Sequence, residues 1–200
     1  MAANGTIVIF DMDGTLTRPY LRFDAIRREI GVAEGSILEA IAGMPAARRD
    51  RAEAVLRRHE AEAAANSRLQ PGAADVVAAL HRAGVPVALM TRNSLRSAET
   101  VQRLHGLAFD LTWTREDGPT KPAPEPVLAI CQALGARADA AWVVGDFCDD
   151  LRSGRAAGAQ TVLFLEAGRE RPSWADEADH VIHTWPELPA LLGVPAKAAP

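Results

Sequence analysis

The sequence predicts an α/β protein whose core is a parallel β-sheet with helices on both faces, and a small helical cap inserted after the first strand. Strand and helix patterns alternate from Gln70 onward, which is typical of a parallel sheet. The strand segments are almost entirely apolar, as expected when helices cover both faces. Residues 20–69 contain only helical patterns, so this block interrupts the alternation directly after the first strand.

The first strand is predicted in the stretch TIVIFDMDGTLTRPY, Thr6 to Tyr20, where a β-branched apolar run ends at two acids. Asp-x-Asp-Gly also occurs in EF-hand calcium loops, but these need a preceding helix and a glutamate at the twelfth position. Here a strand pattern precedes the acids, and the twelfth position is Arg22. A plain turn remains the alternative for this stretch, because Asp and Gly are turn residues.

The cap is predicted from three helical patterns with no strand pattern between them, RFDAIRREIG, EGSILEAIAG and RRDRAEAVLRRHEAEAAANSRL. The last is long and rich in Ala, Glu and Arg, which favour helices. We therefore predict a core domain made of residues 1–19 and 70–200, with residues 20–69 forming the cap.

The remaining elements follow in order after the cap. Glycines end the helical patterns at Gly84 and Gly106, Ser94 is a candidate N-cap, and Pro86 restricts where the second strand begins. The expected helices are GAADVVAALHRAG, SLRSAETVQRLHG, APEPVLAICQALG, DLRSGRAAG and a final helix or turn in WPELPALLG; the expected strands are VPVALM, FDLTWT, AAWVVG, QTVLFLE and the weaker DHVIHT. The closing PAKAAP is expected to fray.

Composition and charge argue against several classes of protein. The chain has 200 residues, is 48% hydrophobic and carries a net charge of -4, so it can bury a core and shows no basic field for nucleic acid. No apolar run approaches the ~20 residues of a membrane helix. The start of the chain lacks signal-peptide features, and two cysteines, Cys131 and Cys148, suit a reducing compartment, which predicts a cytoplasmic protein. We expect a monomer, with a dimer as the alternative, and no nucleic-acid or membrane partner.

Polar residues follow several predicted strands, at the edge where open parallel sheets bind their ligands. They are Asp11 and Asp13 after the first strand, Thr91, Arg92 and Asn93 after the second, and Asp146, Asp149 and Asp150 after AAWVVG. Lys121 precedes a helix and would reach the same edge. Clustered acids repel one another unless a cation lies among them, and oxygen ligands beside a phosphate suit Mg²⁺.

Four segments in this order, DMDGT, MTRN, KPAPEP and GDFCDD, resemble the four motifs of the haloacid dehalogenase superfamily. The likeness extends from about Thr6 to about Gly168. The helical insert after the first motif resembles the C1 cap of the phosphoglycolate phosphatase-like branch. The resemblance implies a Rossmann-like core with a small cap.

The resemblance also implies catalytic roles for three of these residues. Asp11 would be the nucleophile and would form an aspartyl-phosphate, since a carboxylate is ionised at neutral pH without a base. Asp13 would protonate the leaving alkoxide and later take a proton from the attacking water, which demands a raised pKa. Lys121, together with Mg²⁺, would reduce the repulsion between Asp11 and the anionic phosphate.

Phosphate and metal ligands are implied in the same way. The phosphate ligands would be the Thr91 hydroxyl, the Arg92 backbone N–H, Asn93 and Lys121. The Mg²⁺ ligands would be Asp11, Asp13 through its backbone carbonyl, Asp146 and Asp150. Asp150 would act on metal-bound water or on Lys121, whereas Asp149 is expected to be a solvated acid at a helix N-terminus. Phe147 departs from the family, where a small polar residue is frequent, so a hydroxyl that would support Asp146 is absent.

The acid at Asp13 bears on the type of reaction. The dehalogenases of this superfamily lack an acid there and the transport ATPases carry Thr, whereas phosphatases and phosphomutases carry an acid. Phosphonate hydrolysis in this branch uses a cap lysine, and residues 20–69 contain none. We therefore predict a phosphoric monoester hydrolase, with a phosphomutase as the alternative. A binding protein that kept the fold and lost the chemistry is the remaining alternative, although it would be expected to lose a motif residue.

The leaving group is expected to be recognised by the cap, because the core residues hold only the phosphate and the metal. Arg18 and the Gly43–Met44–Pro45 turn are the candidates, while most other cap arginines alternate with acids and are expected to be solvated. The planar fork of Arg suits a carboxylate or a second phosphate. We expect a small phosphorylated metabolite with a second anionic group, such as phosphoglycolate or another phospho-acid, with a sugar phosphate as the alternative.

Overall fold

The computed structural model describes residues 5–194, in which strands and helices alternate after a helical insert. The strands are β1 (Ile7–Phe10), β2 (Val87–Met90), β3 (Leu111–Trp113), β4 (Ala141–Gly145), β5 (Gln160–Phe164) and β6 (His180–Ile182). The helices are α1 (Phe23–Ile30), α2 (Ile37–Ala42), α3 (Ala46–Ala65), α4 (Ala73–Arg82), α5 (Leu95–His105), α6 (Glu125–Ala133), α7 (Cys148–Ala157) and α8 (Glu187–Leu191). The two ends of the predicted core domain, 1–4 and 195–200, lie outside the described residues, and PAKAAP lies there with them.

The strands form one parallel sheet of six, in the order β3-β2-β1-β4-β5-β6. The predicted α/β class and parallel sheet are confirmed. β2 begins directly after Pro86, as expected for a residue that cannot donate to the ladder. The segment WPELPALLG, predicted as a helix or a turn, contains the helix α8.

Both faces of the sheet are buried, and successive strand residues alternate between them. In β1, Val8 and Phe10 pack into one apolar cluster with α4, α5 and α8, whereas Ile7 and Ile9 pack into a second cluster with α6. Cys131 belongs to the second cluster and is therefore a small residue of the core. The two-sided burial explains why the strand segments carry so few polar residues.

The helical insert, α1 to α3, has an apolar cluster of its own. Its buried members are Ile26, Ile30, Ile37, Ile41, Met44, Ala52 and Leu56. The chain enters and leaves the insert side by side, because the Arg18 N–H donates to the Arg68 carbonyl at 2.8 Å and the Gln70 N–H donates to the Leu16 carbonyl at 2.9 Å. The predicted boundaries after residues 19 and 69 fall at this crossing, and the division into two domains stays a prediction.

Helix α3 contributes to both parts of the molecule. Leu56 packs in the cap cluster, whereas Ala64, two turns later, packs in the core cluster. A hydrogen bond of 2.9 Å joins Ser67 Oγ, just after α3, to His105 Nε2 at the end of α5. The second half of α3 therefore docks on α5, close to the segment that connects β2 with α5. Among residues 5–194, no helix is long and apolar enough to cross a membrane.

The sheet order brings the predicted site residues together. β1 and β4 are neighbours, with Phe10 in register with Val144, although more than 100 residues separate them in the chain. The strand order reverses between these two strands, and ligands of open α/β sheets bind outside the carboxyl ends of strands at such a point. Asp11 and Asp146 follow directly and therefore meet at that edge.

Candidate active site

A buried ion network lies at the carboxyl edge of the sheet. Lys121 Nζ donates to Asp11 Oδ1 at 2.5 Å and to Asp150 Oδ1 at 2.6 Å. All three side chains are buried. Burial lowers the pKa of Lys121, but the Asp11 and Asp150 carboxylates outweigh it and raise the pKa above its usual range. The structure thus brings Lys121 from its loop to the two acids that the sequence assigned to the same site.

Two glycines permit the close approach of these acids to the backbone. A Cβ added at Gly14 would lie 2.2 Å from Asp146 Oδ2, and a Cβ added at Gly145 would lie 2.2 Å from Asp150 Cγ. Gly14 also has a φ of 89°, which lies in the left-handed region that favours glycine. Asp146 and Asp150 therefore each lie against the backbone of a glycine, at a position where a side chain would clash with the carboxylate.

Asp146 sits beside Asp11 in a partly buried position. Burial, and then the charges of Asp11 and Asp150, raise the pKa of Asp146 to about 7. The Thr15 hydroxyl donates to Asp146 Oδ1 at 3.4 Å, and Arg169 Nη1 lies 3.5 Å from Asp146 Oδ2. Phe147, the residue after Asp146, has no hydroxyl to support Asp146. Thr15 of the first motif supplies a hydroxyl instead.

The arrangement fits a hard cation. Oxygen atoms of Asp11, Asp146 and Asp150 lie within 4.8 Å of one another. Asp11 Oδ2 is buried and has no hydrogen-bond partner among residues 5–194, which leaves one carboxylate oxygen in the site unsatisfied. Clustered carboxylate oxygens of this kind are the ligands that Mg²⁺ prefers.

Asp13 and Asp150, two of the four predicted Mg²⁺ ligands, use their carboxylates for hydrogen bonds within the protein. The Asp13 carboxylate lies outside the acidic cluster and accepts a hydrogen bond of 2.5 Å from the Asn93 amide. Asp150 uses one oxygen for Lys121 and accepts the Phe147 N–H at 3.1 Å with the other. Two roles were expected for Asp150, on metal-bound water and on Lys121. Its contacts support the second role, the positioning of Lys121.

Asp13 has the environment that a general acid needs. Burial, and then the charge of Asp11, raise the pKa of Asp13 to about 7, and the hydrogen bond from Asn93 opposes the shift. A carboxyl group with this pKa is partly protonated at neutral pH, so it can both donate and accept a proton. Asn93 was expected to bind phosphate, and the structure instead ties its amide to Asp13.

The residues after β2 are held by hydrogen bonds within the protein. The Thr91 side chain is buried, and its hydroxyl accepts the Asn93 N–H at 3.2 Å, which leaves the hydroxyl proton for another acceptor. The Arg92 guanidinium donates to Asp149 Oδ2 at 2.7 Å and to the Ser36 hydroxyl at 2.8 Å. The expectation that Asp149 is a solvated acid is wrong, because it forms a partly buried ion pair with Arg92.

A protein-family model described as a haloacid dehalogenase-like hydrolase matches residues 6–158. The chain belongs to this family. A relative in Saccharomyces cerevisiae, an uncharacterised hydrolase, is 40% identical over 168 residues, which cover 78% of this chain and 75% of that protein. The plasmid-encoded phosphoglycolate phosphatase of Cupriavidus necator is 31% identical, over 98% of this chain and 96% of that protein.

Solved structures of similar shape support the fold of this haloacid dehalogenase-like hydrolase. A hydrolase from Pseudomonas syringae superposes with a TM-score of 0.79 at 21% identity, covering 96% of this chain and 100% of that chain. The predicted superfamily and its phosphoglycolate phosphatase-like branch are confirmed, and so is the predicted enzyme class, a phosphatase of this family.

In this haloacid dehalogenase-like hydrolase the cap meets the site at a different place from the one expected. Met44 of the Gly43–Met44–Pro45 turn is buried in the cap's own apolar cluster, so its side chain packs within the cap and does not line the site. The cap instead reaches the core through Ser36, which contacts Arg92. Arg18 is exposed beside the crossing of the two connecting segments.

Sequence reasoning missed several residues that the structure places around the site, including Thr15, Glu60 and Arg115. Thr15 lies in the first motif and could have been assigned from its position there. Glu60 and Arg115 form a buried ion pair between the cap and the core. Glu60 lies in a helix crowded with charged residues, and its pairing with a residue 55 positions away leaves no local pattern.

Proposed function

We propose that this haloacid dehalogenase-like hydrolase is a Mg²⁺-dependent phosphatase that acts on a small phosphorylated metabolite through an aspartyl-phosphate at Asp11. The observation that carries the proposal is the Asp11 carboxylate, which Lys121 holds through one oxygen while the other is buried and has no hydrogen-bond partner in the described part of the chain. Asp13, whose pKa is raised to about 7, stands in the same site as a proton donor. Together these contacts support Asp11 as the nucleophile, Lys121 as the charge that compensates it, and Asp13 as the general acid.

The reaction that these residues support has two steps. In the first, an Asp11 oxygen bonds to phosphorus, the bond to the leaving oxygen breaks, and Asp13 donates its proton to that oxygen. In the second, water attacks the acyl-phosphate phosphorus, Asp13 takes the proton from the water, and inorganic phosphate leaves with Asp11 restored. Lys121 stabilises negative charge on the nucleophile and the phosphate throughout.

Mg²⁺ would be held by Asp11 and Asp146, with the Asp13 carbonyl and Asp150 as the further predicted ligands, and would supply positive charge between carboxylate and phosphate. Thr91 would donate its hydroxyl proton to a phosphate oxygen, beside the Arg92 N–H. Lys121, from the KPAPEP motif, would contact the same phosphate.

For the substrate we favour a phospho-acid, as in the phosphoglycolate phosphatase relative. The exposed guanidinium of Arg18, beside the entry to the cap, is suited to a carboxylate or a second phosphate. Cys131 and Cys148 are both free and buried, which supports the proposed cytoplasmic location. A monomer is the proposed working state.

The test is phosphate release by the purified protein from phosphoglycolate and from p-nitrophenyl phosphate, with Mg²⁺ and with a chelator. We expect turnover that the chelator abolishes and that Asp11→Asn removes, since an amide is no nucleophile here. Asp75→Asn is the matched control, because Asp75 is an exposed residue of α4. Turnover retained by Asp11→Asn, or unaffected by chelation, would contradict the proposal.

A further inference from the structure

A buried ion pair joins the cap helix α3 to the core. The Glu60 side chain is 2% exposed, and its Oε1 accepts a hydrogen bond from Nη1 of Arg115, which follows β3. Its Oε2 accepts the backbone N–H of Ser94 at 3.4 Å. A carboxylate at this depth is costly unless it is fully paired, so its place in the structure calls for an explanation.

The Glu60–Arg115 pair is hydrogen-bonded to the backbone of one short segment, residues 92–94. Arg115 Nη1 donates to the Arg92 carbonyl at 3.2 Å, and the Arg115 N–H donates to the Asn93 carbonyl at 3.3 Å. Together with the Glu60 contact to Ser94, three successive residues are each bonded to one member of the pair. A second cap side chain, Ser36, reaches the same segment through the Arg92 guanidinium.

The segment leads directly to the proposed chemistry. Asn93 donates from its amide to Asp13 Oδ2 at 2.5 Å and from its backbone N–H to Thr91 Oγ1 at 3.2 Å. A displacement of the segment would therefore move the partner of the general acid. Hydrogen bonds run without a break from Glu60 on the cap to Asp13 in the core.

We propose that Glu60 and Arg115 are positioning residues, which hold the segment 92–94 so that Asn93 fixes the Asp13 carboxyl for proton transfer to the leaving group. The inference rests on the proposed phosphatase function and adds to it a cap residue that acts on the chemistry without touching the substrate. General docking of the cap does not require the pair, because α3 also packs on the core through Ala64 and its exit is joined to α5 by Ser67.

The test compares kcat for phosphoglycolate, an alkyl ester whose leaving group needs a proton, with kcat for p-nitrophenyl phosphate, whose leaving group does not. The variant is the double substitution Glu60→Gln/Arg115→Gln, which removes both charges and so leaves no lone buried charge to prevent folding. The matched control is Glu62→Gln/Arg96→Gln, since both residues are exposed on α3 and α5. Circular dichroism confirms that each variant is folded.

We expect kcat for phosphoglycolate to fall about 10–100-fold in the double variant, as for a misplaced catalytic group. The fall for p-nitrophenyl phosphate should be several times smaller, and KM and the control should be unchanged. In an Asn93→Ala background the double substitution should have little further effect, because the same link is already broken.

Equal losses for the two esters, or losses that multiply with that of Asn93→Ala, would overturn the positioning role while leaving the phosphatase assignment intact. A wild-type protein that hydrolyses neither ester would overturn the proposed function, and the inference with it.

Discussion

The carboxyl edge of the sheet and the helical cap use charged residues in opposite ways. At the edge, Asp11, Lys121 and Asp150 are buried, and Lys121 donates a hydrogen bond to each of the two carboxylates. In the cap, charged side chains pair mostly at the surface, as Arg57 does with Glu53 at 3.0 Å, where solvent screens the interaction. The two regions therefore differ in how much a single substitution should cost.

The difference shows where this phosphatase has freedom to vary. The edge holds carboxylate oxygens of Asp11, Asp146 and Asp150 within 4.8 Å of one another beside Lys121, so even glycines are constrained there. The cap has a separate apolar cluster and exposed charges, so its surface can change with the leaving group without disturbing the nucleophile. Glu60 is the exception, since it is a cap residue buried like a residue of the edge.

After the loss of turnover expected for Asp11→Asn, the next largest effect is expected for Asp13→Asn. Loss of the general acid should lower kcat for an alkyl phosphate by about 10²–10⁴-fold. The loss should be smaller for p-nitrophenyl phosphate, because its leaving group needs less protonation. Steady-state kinetics on both esters check this, with Asp75→Asn as the control. Equal losses for both esters would argue against the acid role.

Substitution of one glycine at the sheet edge and one in the cap compares the stability of the two regions. Gly145→Ala would place a Cβ 2.2 Å from the Asp150 carboxyl carbon, whereas the nearest atom to a Cβ at Gly43 of the cap is 3.7 Å away. We expect Gly145→Ala to lower the free energy of unfolding by about 1–3 kcal/mol, as overpacking does, and to reduce turnover by displacing Asp150 from Lys121.

Gly43→Ala should stay within about 0.5 kcal/mol of the wild type, because its added methyl group makes only an ordinary contact. Urea unfolding of the two variants, followed by circular dichroism in the presence of a chelator, measures both changes. Similar shifts for the two substitutions would show that the edge is no more tightly constrained than the cap.

The smallest effects on catalysis are expected for two exposed arginines, Arg18 beside the entry to the cap and Arg57 in the cap. Arg18→Ala should raise KM for a phospho-acid by about 10-fold, as for the loss of one hydrogen bond to a charged group, and should leave kcat nearly unchanged. Arg57→Ala should change neither, because its pair with Glu53 is exposed. A screen of phosphorylated metabolites with both variants makes the measurement. A preference for uncharged leaving groups that Arg18→Ala does not alter would exclude the anionic substrate and leave the hydrolase chemistry intact.

Much of the core site could be predicted because it depends on strand ends. The apolar run before Asp11 and the run before Asp146 identify two buried parallel strands, and the ends of such strands meet at one edge of the sheet. The residue types then predicted the chemistry, since acids crowded at that edge repel one another unless a cation lies among them. Lys121, the lysine before a proline-rich helix start, met the acids as expected.

What the sequence by itself determined was the sheet, the helical insert and the main residues at the carboxyl edge, because each leaves a local pattern of apolar and polar residues. Only the tertiary structure decided that Asn93 holds Asp13, that Arg92 pairs with Asp149, and that Glu60 pairs with Arg115. These contacts join residues between 55 and 80 positions apart. A charged or amide side chain has the same appearance in the sequence whether it is solvated or buried against a distant partner, so the physical cause lies in the packing of α3 on α5 and of the loops at the sheet edge.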